Sequence, residues 1–96
     1  MKKISEHGKF KVHLTKHAYE RAAQRHVKHN KILAMILWID EEKLEELKGE
    51  DIIVHSEMLN VSLVAQIVKN KVKIITVVPK AHTFVTDVDK IRIELA

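Results

Sequence analysis

The sequence contains no cysteine, one proline, two glycines and four aromatic residues. The absence of cysteine excludes disulfide bonds and thiolate metal sites, and it agrees with a reducing compartment. The longest apolar run, Ile32 to Ile39, is far too short to cross a bilayer. The first nine residues also lack the apolar segment of a signal peptide. We therefore expect a cytoplasmic protein without a membrane partner.

The composition is that of an ordinary globular protein. Apolar residues make up 46% and charged residues 31% of the 96 positions, which is not the balance of a disordered chain. This length forms one domain with a modest core and leaves no room for a second. We predict a single domain over residues 1–96, in which residues 1–9 are flexible.

Positive charge is concentrated in the first third of the sequence. The formal net charge is +4, and residues 1–31 hold nine lysines and arginines against Glu6 and Glu20. Acidic residues gather instead in residues 40–51. A basic half on a small domain favours RNA or another polyanion as a partner, and it would equally complement an acidic protein surface.

The N-terminal half predicts one strand followed by helices. Residues 10–14 alternate apolar and polar side chains, which is typical of a strand, and Thr15 is a suitable N-cap for a helix over 16–26. Asn30 is the expected cap of a second, largely buried helix through Ile39. Asp40 either continues that helix or caps a third one, for which Gly49 supplies the stop.

The C-terminal half predicts a β-meander. Residues 51–56, 61–69 and 72–78 are rich in β-branched side chains, and a two-residue turn at Asn70-Lys71 would pair Val68 with Lys73. Two shorter strands are expected at 82–86 and 91–95, the latter at a sheet edge. The predicted fold class is α+β, with an N-terminal strand and two or three helices packed on a four- to five-stranded antiparallel sheet.

One stripe of the first helix carries residues suited to phosphate chemistry. His17, Arg21, Gln24 and Arg25 follow one another at helical spacing, so they share about a third of the circumference. An imidazole and two guanidiniums on one face can grip a phosphodiester, whereas the alternative interpretation is a solvated basic face.

The stripe and a later strand together resemble a known group of domains. The segment Leu14-Thr-Lys-His-Ala with Arg21, Arg25 and Val27, followed by a helix and the strand Lys73-Ile-Ile-Thr-Val-Val-Pro79, resembles small bacterial domains near the RelE-like and BrnT-like toxins. The resemblance runs from about residue 12 to 79. Many relatives carry glycine where this chain has His26. The resemblance implies a RelE-like fold and a toxin–antitoxin or phage context.

The resemblance also implies metal-independent RNA cleavage by attack of the 2′-hydroxyl group. His17 would act as general base or acid, Arg21 and Arg25 would clamp the phosphate, and Thr76 would orient the substrate. His82 would be the second proton carrier. The expected nucleic-acid contacts are Lys16, Arg21, Arg25, Lys28 and Lys80.

Each of these residues also has an ordinary structural interpretation. His17 can bond the backbone of the first helical turn, and Thr76 is a favoured strand residue. Arg21 and Arg25 can form surface ion pairs with Glu20, Glu57 or the acidic segment 40–51.

Three functions therefore remain open. The first is a toxin-like ribonuclease with a possible antitoxin, and the second is a non-catalytic phage or mobile-element accessory protein that binds nucleic acid or a protein through its basic helix. The third is a homodimer that uses a sheet edge or the apolar second helix. No cofactor or metal is expected, because the histidine pairs 13/17 and 26/29 lack a third ligand.

Overall fold

The computed structural model describes residues 2–78 and 91–95 and has an α+β architecture, as expected. In chain order, the elements are β1 (Lys2–His7), β2 (Phe10–Leu14), α1 (Lys16–Gln24), α2 (His29–Leu37), α3 (Glu41–Glu46), β3 (Asp51–Ser56), β4 (Val61–Val68), β5 (Lys71–Val78) and β6 (Ile91–Leu95). The strand expected over 82–86 lies outside the described residues. None of the described helices is long and apolar enough to span a bilayer.

The sheet differs from the predicted one in size and in direction. Its order is β1-β2-β5-β4-β3-β6, with β2 parallel to β5 and β3 parallel to β6, so the sheet is six-stranded and mixed. Residues 2–7, which we expected to be flexible, form β1 and pair antiparallel with β2. The connection from β2 to its parallel neighbour β5 runs through the three helices and through β3 and β4, which is long enough for a parallel pair.

The helices cover one face of the sheet. Ala18 and Ala22 of α1 are buried against it, as are Ile32, Met35 and Ile36 of α2. They share one hydrophobic cluster with the inward side chains of the strands, among them Val12, Leu14, Val54, Leu63, Ala65, Ile67, Val72, Ile74 and Val77. The small alanines allow α1 to lie close to β5, and this contact positions the basic stripe.

The other face of the sheet, called here the second face, carries the alternate residues of each strand. Over β3 and β4 it is buried at Ile53, His55 and Ser62. Over β2 and the first half of β5 it is basic, with Lys11 and Lys71 exposed.

Two expectations for the helices need correction. The N-cap of α2 is Lys28, which forms no side-chain cap bond, rather than Asn30. The helix is also not buried all round, because Leu37 and Trp38 at its end are 45% and 47% exposed. Only one face of α2, with Ile32, Met35 and Ile36, packs against the core, and Leu37 and Trp38 lie outside that face. Asp40 begins the separate helix α3, the second of the two alternatives.

The β4–β5 hairpin has the predicted partners but a different register. Val68 pairs with Lys71, so the turn is Lys69-Asn70, and Lys69 takes a φ of +54°. The shift from the predicted pairing is two residues, which leaves each side chain on the same face because strands alternate with period two. A bulge at Ile75 then offsets the pairing by one residue.

The C-terminus of α1 has a backbone conformation that bears on the residue type at position 26. The His26 amide donates to the carbonyl oxygen of Ala23 and the Val27 amide to that of Ala22, which is the hydrogen-bond pattern of a Schellman motif. His26 occupies the C′ position of this motif with a φ of +56°. This left-handed conformation is the one for which glycine is favoured. Glycine would fit this position without strain, whereas His26 adopts it at a conformational disadvantage.

We expect His26→Gly to raise the free energy of unfolding by up to about 1 kcal/mol, because glycine has no Cβ to strain at positive φ. Urea denaturation at pH 7 measures the change. Gln24→Gly, two residues earlier and inside the helix, is the matched control and should lower stability by about 1 kcal/mol. A loss of stability in both variants would contradict the assignment of His26 to this motif.

Candidate nucleic-acid interface

A single threonine attaches the start of α1 to the sheet. The Thr15 hydroxyl accepts from the Ala18 amide at 3.0 Å, as the predicted N-cap should, and donates to the Ile75 carbonyl oxygen at 3.2 Å. The Thr15 amide also donates to the carbonyl oxygen of Ile74 at 3.1 Å. Because these bonds continue the β2–β5 pairing, the orientation of α1 on β5 is set at its first turn.

The predicted stripe lies on α1 but its members have different environments. His17 and Gln24 are exposed, whereas Arg21 and Arg25 are half-buried. Among residues 2–78 and 91–95, the His17 ring takes part in no hydrogen bond, so the bond to backbone considered above does not form in that part of the chain.

Arg25 is held by the sheet. Its Nη1 donates to the carbonyl oxygen of Val77 at 2.7 Å. β2 pairs with β5 only as far as Ile74, so the later carbonyl groups on that side of β5 need other donors. Arg25 supplies one, which assigns it a structural contact at the position where the sequence predicted a phosphate clamp.

Neither arginine forms the ion pairs that the alternative interpretation required. Within the described part of the chain, Arg21 and Arg25 have no carboxylate at ion-pair distance. Arg21 therefore keeps its donors available at the surface of the stripe.

Thr76 does not lie beside the stripe. It pairs with Val64, and the next residue, Val77, pairs with Leu63 and faces the helices in the core. Adjacent strand residues point to opposite faces, so the Thr76 side chain lies on the second face, away from α1. An orienting role for Thr76 toward a phosphate held by His17 and Arg21 would therefore require the substrate to reach both faces of the sheet.

The remaining predicted contacts flank the stripe or fall outside the described residues. Lys16 is exposed at the start of α1 and Lys28 is exposed at the start of α2. Lys80 and His82 lie outside the described residues. The described residues also offer no group of three potential metal ligands.

A buried histidine and serine on the second face look like a base and nucleophile, but their hydrogen bonds argue otherwise. His55 Nδ1 lies 2.8 Å from Ser62 Oγ, and His55 Nε2 lies 3.1 Å from Nη2 of Arg92. A guanidinium only donates, so Nε2 accepts and Nδ1 carries the hydrogen. His55 consequently donates to Ser62 and is not arranged to remove the proton of its hydroxyl group.

The sequence reasoning missed a second basic surface. Lys3, Lys11, Lys71 and Lys73 surround His13 on the second face of the sheet, because β2 pairs with β1 on one side and β5 on the other. In the sequence, β2 and β5 each carry two basic residues at alternate positions, Lys11 and His13 in β2 and Lys71 and Lys73 in β5. These two pairs come together only through the parallel β2–β5 pairing, which the sequence did not predict. We call this set the sheet-face lysine cluster.

No family model, curated protein or solved structure matches this chain.

We expect Arg25→Ala to lower the free energy of unfolding by about 1–3 kcal/mol, because the Val77 carbonyl loses a charged donor. Arg21→Ala removes the same side chain one turn earlier, without a comparable bond, and should change stability by less than about 0.5 kcal/mol. Urea denaturation of the two variants in parallel measures the difference. Equal losses would show that the Arg25–Val77 bond contributes nothing beyond ordinary helix packing.

Proposed function

We propose that this protein is a non-catalytic module that binds RNA through the exposed side of α1. The observation that carries the proposal is the set of basic side chains there without ion-pair partners among the described residues. They are Lys16, His17 and Arg21 on α1, together with Lys28, which lies after α1 at the start of α2. Glu20 is the only acidic residue in the segment 15–31. Uncompensated cations on one side of a helix attract a phosphate backbone and release its counterions.

Binding is favoured over catalysis because the predicted catalytic group is not assembled in the described residues. Arg25 donates to the sheet, Thr76 lies on the second face, and only His17 and Arg21 remain together. Cleavage through the 2′-hydroxyl group needs one group to remove a proton and another to supply one. A single exposed histidine beside one arginine suits phosphate contact better than both steps.

The RelE-like resemblance belongs to this proposal. It rests on the sequence motif around Thr15, His17 and Arg21 and on the strand containing Thr76. A phage or mobile-element accessory protein on such a scaffold would use its basic helix for docking, and RNA as the ligand would place it in the cytoplasm. An acidic protein, such as an antitoxin, is the competing partner for the same surface.

We expect a fluorescently labelled single-stranded RNA to bind with an affinity that falls steeply with salt. Each phosphate contact contributes about −0.7 to the slope of log K against log salt for a single strand. Arg21→Ala should weaken binding and reduce the slope by about one contact. Anisotropy titrations between about 50 and 200 mM salt measure both quantities.

Lys43→Ala is the control for this experiment, since Lys43 is an exposed lysine on α3, away from the stripe. It should leave the affinity for RNA unchanged. RNA binding that is absent, or that falls equally in Lys43→Ala and Arg21→Ala, would overturn the proposal and direct attention to an acidic protein partner.

The ribonuclease remains the second candidate because the exposed His17 lies one helical turn from Arg21. If it is correct, purified protein cleaves RNA in EDTA, induced expression arrests growth, and His17→Ala abolishes both effects. Lys43→Ala, on α3 and away from the stripe, should retain cleavage. RNA that stays intact under these conditions excludes this candidate and leaves the binding proposal standing.

A further inference from the structure

His13 lies at the centre of the sheet-face lysine cluster. It pairs with Lys3 of β1 and with Lys73 of β5, and its strand neighbours Val12 and Leu14 point into the core on the other side. His13 is half-buried at the surface layer of the second face. Its ring is therefore separated from the α1 stripe by the full thickness of the sheet and its helices.

Both ring nitrogens of His13 are shielded from solvent, and neither has a hydrogen-bond partner among the described residues. A neutral imidazole offers one donor and one acceptor, and a buried polar atom without a partner destabilises a fold. Burial lowers the pKa of His13, and the nearby charges of Lys71, Lys11 and Lys3 lower it further. Both effects favour the neutral form of the unbound ring.

The lysines around His13 are largely uncompensated. Lys11 and Lys71 face each other directly across β2 and β5, and like charges in such a pair destabilise a sheet. Among the described residues, Lys11, Lys71 and Lys73 have no carboxylate at ion-pair distance, and only Lys3 has one, with Glu6 at 2.5 Å. Folding alone gives no reason to bring these cations together.

The cluster borders a recess of about 440 Å³ at the turn between β4 and β5. Its lining residues are Lys9, Lys11, Val68, Lys69, Asn70 and Lys71. Of these lysines, Lys9 is paired with Glu45 at 2.6 Å. The recess is large enough for a phosphate group and its neighbouring atoms; Lys11 and Lys71 line it, and their charges also act on His13.

Charged groups reach His13 from β1, β2 and β5. β1 contributes Lys3 and Glu6, β2 contributes Lys11, and β5 contributes Lys71 and Lys73; β4 presents the uncharged Gln66 and Val68 beyond β5. Among the described side chains that share this face with His13, four cations thus oppose one carboxylate. An anion with several oxygens would relieve the repulsion among the lysines and give the imidazole an acceptor.

We propose that His13, Lys11, Lys71 and Lys73 form a phosphate-binding site whose occupation adds a proton to His13. The ligand class is a phosphate chain, carried either by a single-stranded nucleic acid or by a free oligophosphate. The covalent bonds of the ligand do not change; one proton from a hydronium ion or a buffer acid in solution forms an N–H bond on the imidazole, which then donates to a phosphate oxygen. The lysine side chains next to the ring, each with four rotatable bonds, move toward the ligand and open access to it.

This site is independent of the function proposed for α1, because it uses the opposite face of the sheet and shares no residue with the stripe. Its pH dependence follows from the lowered pKa of His13 in the unbound protein. A bound anion raises that pKa, so affinity increases as the pH falls through the pKa of the bound state and levels off below that of the free state.

The test is a titration of the full-length protein with sodium tripolyphosphate and, separately, with an RNA decanucleotide that has no terminal phosphate. Histidine ring NMR signals report the pKa of His13, and calorimetry reports affinity at pH 7.5 and pH 5.5. We expect the His13 pKa to rise by at least about one unit with ligand, and affinity to increase about tenfold more in the wild type than in His13→Gln over this pH range. Lys71→Gln should weaken binding about tenfold, whereas Lys43→Gln on α3 should leave it within about twofold.

Either ligand can support the site, and the pair of ligands identifies its source. If only tripolyphosphate raises the pKa of His13, the natural ligand is a free oligophosphate. If the decanucleotide raises it, the ligand is a nucleic acid. A His13 signal unmoved by both, or equal losses in Lys71→Gln and Lys43→Gln, overturns the proposal. The measurement is repeated in Arg21→Ala, so that loss of RNA binding at α1 is distinguished from loss at His13.

Discussion

The fold depends on the attachment of β2 and α1 to the side of β5. β2 pairs with β5 through Ile74, and Thr15 extends the pairing by donating to the carbonyl groups of Ile74 and Ile75. The same hydroxyl accepts from the first turn of α1. One small side chain therefore begins the helix, fixes it to the sheet and sets which residues of α1 point outward.

This attachment divides the basic residues into two sets with different environments. On the helix side, Arg25 is bound to the sheet and leaves His17 and Arg21 at the surface. On the second face, the same β2–β5 pairing brings Lys11 beside Lys71 and His13 beside Lys73. These two sets of basic residues thus lie on surfaces that point in opposite directions, which allows each surface to be examined with variants that leave the other intact.

Local sequence signals predicted most of the helices and strands. The order, direction and register of the strands depend on pairing between distant segments, which these signals do not contain. Thr15 as a cap and the strand at 10–14 follow from neighbouring residues, and the structure has both. The strand at 91–95 is also present, at the end of the described sheet. The hairpin register differed because Lys69 adopts a positive φ, a conformation for which its residue type gives no signal.

The candidate site was likewise only partly predictable from local sequence signals. Helical spacing placed His17 and Arg21 on one stripe, but the Arg25 bond to Val77 depends on where β5 ends relative to β2. Thr76 was assigned to the stripe without knowledge of which face it occupies, and the bulge at Ile75 sets that face. The lysine cluster required a parallel pairing between strands that three helices separate in the sequence. Periodicity within single segments contains no information about such a pairing.

The hydrogen bond from Thr15 to Ile75 spans 60 residues, and this separation has a consequence for synthesis. On the ribosome, β2 and α1 emerge well before β5, the strand to which they attach. At about 5–20 residues per second, the interval is roughly 3 to 12 s. Until then, the apolar face of α2, with Ile32, Met35 and Ile36, can pack only against the β1–β2 hairpin and lacks the rest of the sheet. The buried side chains of the N-terminal half therefore complete their packing only after β5 has been made.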